Sequence, residues 1–219
     1  MKKILVISAL VLASCLAHAE GDYKPFFMFD VNSEKDEKHS DLVRDYIGAN
    51  VTVGVKSPNN IEYSIKTGAS QKDHDGLQTV SNNIEFKVKK SYHLTDSITP
   101  YAAIRLGEKI RSNGNHFTHY AIDGGVKFQL MDNLGFDTGL RYRNAVSNDH
   151  FQKAFERSPE YDTTGTVTKA YTFESIRLHG MFLFDLDKNN TVGLRYSQSK
   201  ANDYEEERKS WRLHYQHNY

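Results

Sequence analysis

Twelve basic residues recur at alternate positions on segments whose intervening residues are apolar: Lys24, Lys66, Lys87, Lys89, Arg105, Lys109, Lys127, Arg141, Arg143, Arg177, Arg195 and Arg212. Five acids share their face: Asp30, Glu62, Glu85, Asp123 and Asp137. The face carries a net charge of +7. A ring of Arg and Lys selects anions in a pore. A confined patch of one sign also concentrates solutes of the opposite sign. Ten positions are therefore taken as candidate contacts for small anionic solutes: Lys66, Lys87, Lys89, Arg105, Lys127, Arg141, Arg143, Arg177, Arg195 and Arg212. The same charges can instead plug their enclosure. Arg141 and Arg143 can pair with Asp123 and Asp137 on neighbouring segments, because buried charges need partners.

Other groupings support chemistry less well. Asp149-His150 and Asp73-His74-Asp75 have the residue types of acid–base catalysis. Such work needs groups within hydrogen-bond reach across strands, and nothing in the spacing provides it. His116 and His119 have an H-x-x-H spacing. On a strand, positions i and i+3 face opposite sides, so the two cannot share a metal without a bend. Asp203, Glu205, Glu206 and Glu207 read as a solvated loop tip. The chain is read as no enzyme, with no cofactor and no metal.

The elements that position the basic face are strands. Apolar residues alternate with polar ones through Phe27–Val31, Ile47–Val55, Ile61–Ile65, Ile84–Val88, Ala102–Leu106, Tyr120–Leu130, Leu134–Tyr142, Ile176–Phe184, Val192–Tyr196 and Trp211–Tyr215. Period two is the signature of strands, whose side chains alternate between faces. No stretch sustains a helical stripe. Asp149 to Glu156 has room for one helical turn. Short turns fall at 57–60, 95–97, 132–133 and 187–190, rich in Asn, Asp and Pro. Long polar loops are expected at 32–41, 71–78, 111–116, 144–169 and 200–209. Short turns at one end, long loops at the other and an even count of ~10-residue strands describe a transmembrane up-and-down β-barrel. Both termini then lie at the turn end.

Composition agrees. The chain has 219 residues, 28 basic and 28 acidic, so its net charge gives no reason to expect nucleic acid as a partner. Only 38% is hydrophobic, which excludes a bundle of membrane helices, and 12% aromatic content argues against disorder. Met1-Lys2-Lys3, the apolar run Ile4–Leu12 and Ala17-His18-Ala19 form a secretory signal over residues 1–19. Leu12-Ala13-Ser14-Cys15 also resembles a lipobox, so lipoprotein processing at Cys15 stays open. Cleavage after Ala19 leaves 20–219 as one exported domain without cysteine and with a charge of −2.

Two features favour lipid over an exported soluble β-sandwich, the rival fold. Aromatic residues gather near the strand ends: Tyr120, Tyr142, Tyr196 and Trp211 at one end, and Tyr92, Phe136, Phe182, Phe184 and Tyr219 at the other. Such girdles mark the two membrane interfaces. The chain also ends with Trp211, Leu213, Tyr215, His217 and Tyr219 on one face. This resembles the C-terminal signature of outer-membrane barrels read by the barrel-assembly machinery. Its departures are Tyr in place of the more frequent Phe and His217 within the apolar series. Outer-membrane lipid and lipopolysaccharide would surround the barrel.

Thr99-Pro100-Tyr101, Gly125-Val126-Lys127-Phe128 and Leu140-Arg141-Tyr142-Arg143 resemble the small monomeric porins for acidic sugars, the oligogalacturonate-specific porin family. The resemblance covers the middle third of the chain. It implies an Arg/Lys-lined lumen that passes anionic saccharides, with Arg105, Lys127, Arg141 and Arg143 facing the anion. That family has twelve strands. The pattern here gives about ten, with twelve as the alternative count. The sequence thus points to an outer-membrane channel for small anionic solutes. The alternative is a closed structural or adhesive barrel acting through its loops, 144–169 above all.

Overall fold

The computed structural model describes residues 23–36, 44–74, 77–111, 116–147, 172–201 and 206–219. Residues 1–19, expected to be a secretory signal and including Cys15, lie outside the described residues. So do most of the 144–169 loop with Asp149 and His150, and the acidic positions 203 and 205.

Ten antiparallel strands close into one barrel: β1 (Lys24–Asp36), β2 (Arg44–Lys56), β3 (Ile61–His74), β4 (Leu77–Ser91), β5 (Ile98–Arg111), β6 (His116–Met131), β7 (Leu134–Ser147), β8 (Thr172–Asp185), β9 (Asn190–Ala201) and β10 (Glu206–Asn218). Each strand pairs with its sequence neighbours, and β1 pairs with β10 from Phe26↔Asn218 to Asp36↔Arg208. Closure leaves no strand edge unpaired, as a barrel in lipid requires. Lys24 and the C-terminal Tyr219 meet at the turn end, where the Tyr219 amide donates to the Pro25 carbonyl (3.0 Å).

The faces divide as alternation demands, with the inside and outside of a water-soluble barrel exchanged. Leu213 (64% exposed), Ile104 (60%) and Ile122 (56%) point outward. Among the described residues the buried hydrophobic ones are only Phe26, Ala103, Ala121 and Met181, whereas Asp30, Glu85, Asp123, Asp137, His119 and His179 are buried. A soluble protein buries apolar side chains and leaves charges in water. This arrangement is stable only with hydrocarbon outside. On β10 the outward series runs from Trp211 to Tyr219. The eight residue-to-residue steps at ~3.3 Å each, on strands tilted ~40°, give a belt about 20 Å tall, near the band of known outer-membrane barrels. Aromatic contacts brace both rims: Tyr196–Trp211 at 4.9 Å on one and Phe136–Phe182 at 5.0 Å on the other.

The strands run 12 to 16 residues, longer than the alternation indicated. β1 continues to Asp36, β3 to His74 and β9 to Ala201, so strand occupies much of the expected loops at 32–41, 71–78 and 200–209. Above the belt both faces meet water. The polarity alternation stops there while the backbone ladder continues.

The turns follow local chemistry. Asn60 adopts φ 58°, a left-handed conformation Asn tolerates better than most residues. The Ser57 hydroxyl accepts from the Ile61 amide, and the Asn60 amide donates to the Ser57 carbonyl. In the β8–β9 turn, Asp187 Oδ1 accepts from the amides of Asn189 (2.8 Å) and Asn190 (2.9 Å). The Asn190 side-chain contact and these amides hold the Asp187 carboxyl below its ordinary range.

Candidate functional site: a charged lumen

All ten candidate residues lie on inward-facing strand positions. Inward parity puts a charged residue inside on every strand, because each strand alternates through the belt without a break. The one irregularity is a register shift between Gln129 and Met131 at the turn end of β6.

An ion-pair network occupies the middle of the lumen. Arg105 from β5 bridges two carboxylates. Its Nε donates to Asp123 Oδ2 and its Nη1 to Glu85 Oε1, each at 2.6 Å. Arg141 from β7 donates to the same Asp123 through Nε (2.7 Å) and Nη2 (3.2 Å). Lys66 reaches Glu85 at 3.3 Å, and His119 Nε2 lies 3.4 Å from the other Glu85 oxygen. Across the lumen, Asp30 takes His214 Nδ1 at 2.8 Å and Arg212 at 3.7 Å. Charge-assisted, forked contacts of this kind are short and strong.

Toward the loop end, Glu34 joins Arg177 (3.4 Å) and Arg208 (3.8 Å). Toward the turn end, Lys87 is ion-paired with Glu62. The Tyr101 hydroxyl donates to Asp137 Oδ1 (3.0 Å), which His179 Nε2 also contacts (2.9 Å). Tyr101 sits over two glycines. A Cβ on Gly125 would meet its Oη at 2.5 Å, and one on Gly139 would meet it at 2.9 Å. The Lys89 ammonium stacks over the Tyr101 ring at 4.3 Å.

Two guanidinium groups stand apart. Among the described residues neither Arg143 nor Arg195 forms an ion pair within 4.0 Å, and the buried Nε of each has no hydrogen-bond partner. Both are cations aimed into the lumen with no carboxylate in contact; Asp137 acts on Arg195, and Glu85 and Glu34 act on Arg143, only at longer range. Burying such a group is costly.

The lumen holds a cavity of about 80 Å³, lined by Lys66, Lys87, Arg105, Arg141, Arg195 and Arg212 among others. Water fits, since one needs ~10–15 Å³. A drug-sized ligand, which takes ~300–1,000 Å³, does not fit without side-chain movement. Of the candidates, Lys89, Lys127, Arg143 and Arg177 lie away from this cavity, toward the two mouths. The sequence reading missed His119, His179, His214, Tyr101, Lys56 and Glu34 as inward groups. The histidines were readable by parity but carry no formal charge. Glu34 falls in a polar stretch that reads as a loop, and Lys56 stands against a turn.

No family model matches the chain, and no curated protein does. Solved structures do. An outer-membrane channel from Pseudomonas putida aligns with a TM-score of 0.61 at 6% identity, covering 92% of this chain and 97% of that one. The β domain of the Bordetella autotransporter BrkA aligns at 0.52 and 9% identity, covering 90% and 99%. The NanC porin gives 0.46 at 12% identity, covering 86% and 98%. At these identities the property shared with the first two is the fold. Together with the inverted faces, it places the chain among outer-membrane β-barrels.

Proposed function

We propose that this barrel is a narrow outer-membrane channel favouring small anionic solutes, acidic sugars among them. The observation that carries the reading is the surplus of inward cations, and within it the unpartnered Arg143 and Arg195. A passing anion would meet Arg143 toward the loop end and Arg195 at the central cavity, cations with no carboxylate in contact. It would then exchange with Asp123 for the guanidiniums of Arg105 and Arg141, which have their donors in place. Charge-assisted contacts made in sequence, none permanent, suit conduction, because binding must be strong enough to enter and weak enough to leave.

A second reading rests on a specific observation. The central ion pairs leave a cavity of only about 80 Å³, which fits a closed structural or adhesive barrel acting through its loops. Liposome swelling separates the two. Proteoliposomes should swell faster in an acidic monosaccharide than in a neutral one of equal size. No swelling in either, from a correctly folded barrel, overturns the channel. The C-terminal strand, with Trp211, Leu213, Tyr215 and Tyr219 on its lipid face, is the segment we assign to recognition by the assembly machinery.

A further inference from the structure

The turn-end mouth of the lumen carries a second charged feature, separate from the central network. Lys24 and Lys56 are direct cross-strand partners of β1 and β2. Lys56 stands opposite Glu62 on β3, and Glu62 stands opposite Lys89 on β4. One cross-strand row therefore reads Lys, Lys, Glu, Lys from β1 to β4. Glu62 is already taken by Lys87. Lys127 enters from β6, halfway round the barrel, opposite Thr99 and Asp137 in register. Asp137 is in turn engaged by His179 and Tyr101. Among the described residues, none of Lys24, Lys56, Lys89 and Lys127 forms an ion pair within 4.0 Å of a carboxylate. Lys24 and Lys56 are exposed at the rim.

Like charges directly opposite on paired strands destabilise the pair. Here the pair stands at a concave rim, with Lys89 further along the same row and Lys127 on the opposite wall. Ten strands ~4.8 Å apart and tilted ~40° close a ring about 20 Å across. Lysine stems from facing walls therefore converge on a space sized for a small molecule. Inward orientation turns these ammonium groups away from the headgroups of the surrounding leaflet. The occupant they suit is soluble and carries at least two negative groups close together, which the flexible lysine stems of neighbouring and facing strands can reach at once.

We infer that the turn-end mouth is a binding site for a soluble multivalent anion, of the diphosphate or dicarboxylate class, held by Lys24, Lys56, Lys89 and Lys127. The site does not depend on an open lumen, since it is reached from the turn-side solvent.

The test is titration of the refolded full barrel, in detergent micelles of neutral headgroup, with inorganic pyrophosphate at ~20 mM ionic strength, read by calorimetry. Saturable one-to-one binding is expected. It should weaken two- to fivefold for each lysine changed to Gln, the range of a partly exposed ion pair, and by at least tenfold in the quadruple variant. Lys188→Gln, in the exposed β8–β9 turn, should change nothing. Orthophosphate should bind more weakly than pyrophosphate, and ~0.5 M salt should abolish both by screening. If the quadruple variant misfolds, Lys24→Gln with Lys56→Gln at the exposed rim reads the same effect. No saturable binding, or equal affinity in wild type and lysine variants, overturns the site. Silence of the channel alongside lysine-dependent binding would count against the conduction reading and leave this one standing.

Discussion

Asp123→Ala is the most informative single perturbation of the lumen. Asp123 accepts from Arg105 at 2.6 Å and from Arg141 at 2.7 and 3.2 Å, and its side chain is 6% exposed. Arg105 keeps Glu85 as a second partner, so it remains half compensated. Arg141 has no other carboxylate contact among its hydrogen bonds and loses its only one. Removing one partner of a buried pair costs about 3–5 kcal/mol. Because Arg105 is still held, the low end applies, about 3 kcal/mol. The assay is equilibrium urea unfolding of the refolded barrel in lipid vesicles, followed by Trp211 fluorescence. A cycle with Arg141→Gln isolates the pair, and its coupling should be about 1.5–3 kcal/mol, the worth of a hydrogen bond to a charged group. In the same variant the freed guanidiniums should raise anion preference. A stability loss under ~0.5 kcal/mol with zero coupling would show that the network is solvated and does not hold the lumen. The reasoning about exchange at Asp123 would then fall.

Further outcomes follow from packing and turn geometry. Gly125→Ala should lower stability by about 1–3 kcal/mol, because its Cβ would lie 2.5 Å from both the Thr138 carbonyl and Tyr101 Oη. Gly124→Ala beside it meets nothing within 4 Å and should be neutral by the same unfolding assay. Tyr101→Phe removes the donor to Asp137 and should cost about 1 kcal/mol. Asn60→Val, at φ 58°, should cost about 1–2 kcal/mol, while Asn60→Gly should be tolerated.

The alternation carried most of the fold. Within the belt each strand has one lipid face, so residues such as Ile104 and Leu106 against Arg105 fix which side points inward. The count of ten strands and the inward position of all ten candidates were therefore legible. Strand ends were not, because outside the belt β1, β3 and β9 have water on both faces and polarity no longer reports pairing. The lumen lining was legible in membership and not in arrangement. Parity says that Arg105, Arg141 and Asp123 share the lumen. Only closure of the barrel shows that both guanidiniums converge on one carboxylate while Arg143 and Arg195 go without. The histidines escaped a reading built on Lys, Arg, Asp and Glu, although His214, His179 and His119 each contact a lumen carboxylate.

The most direct test of the central claim is the reversal potential of single channels in a planar bilayer under a potassium chloride gradient. It should be recorded for the wild type and for Arg143→Glu with Arg195→Glu. The account predicts discrete steps, an anion-selective potential in the wild type, and a shift toward cation selectivity in the double variant. A folded barrel that gives no steps, a cation-selective wild type, or a potential indifferent to both reversals would contradict it.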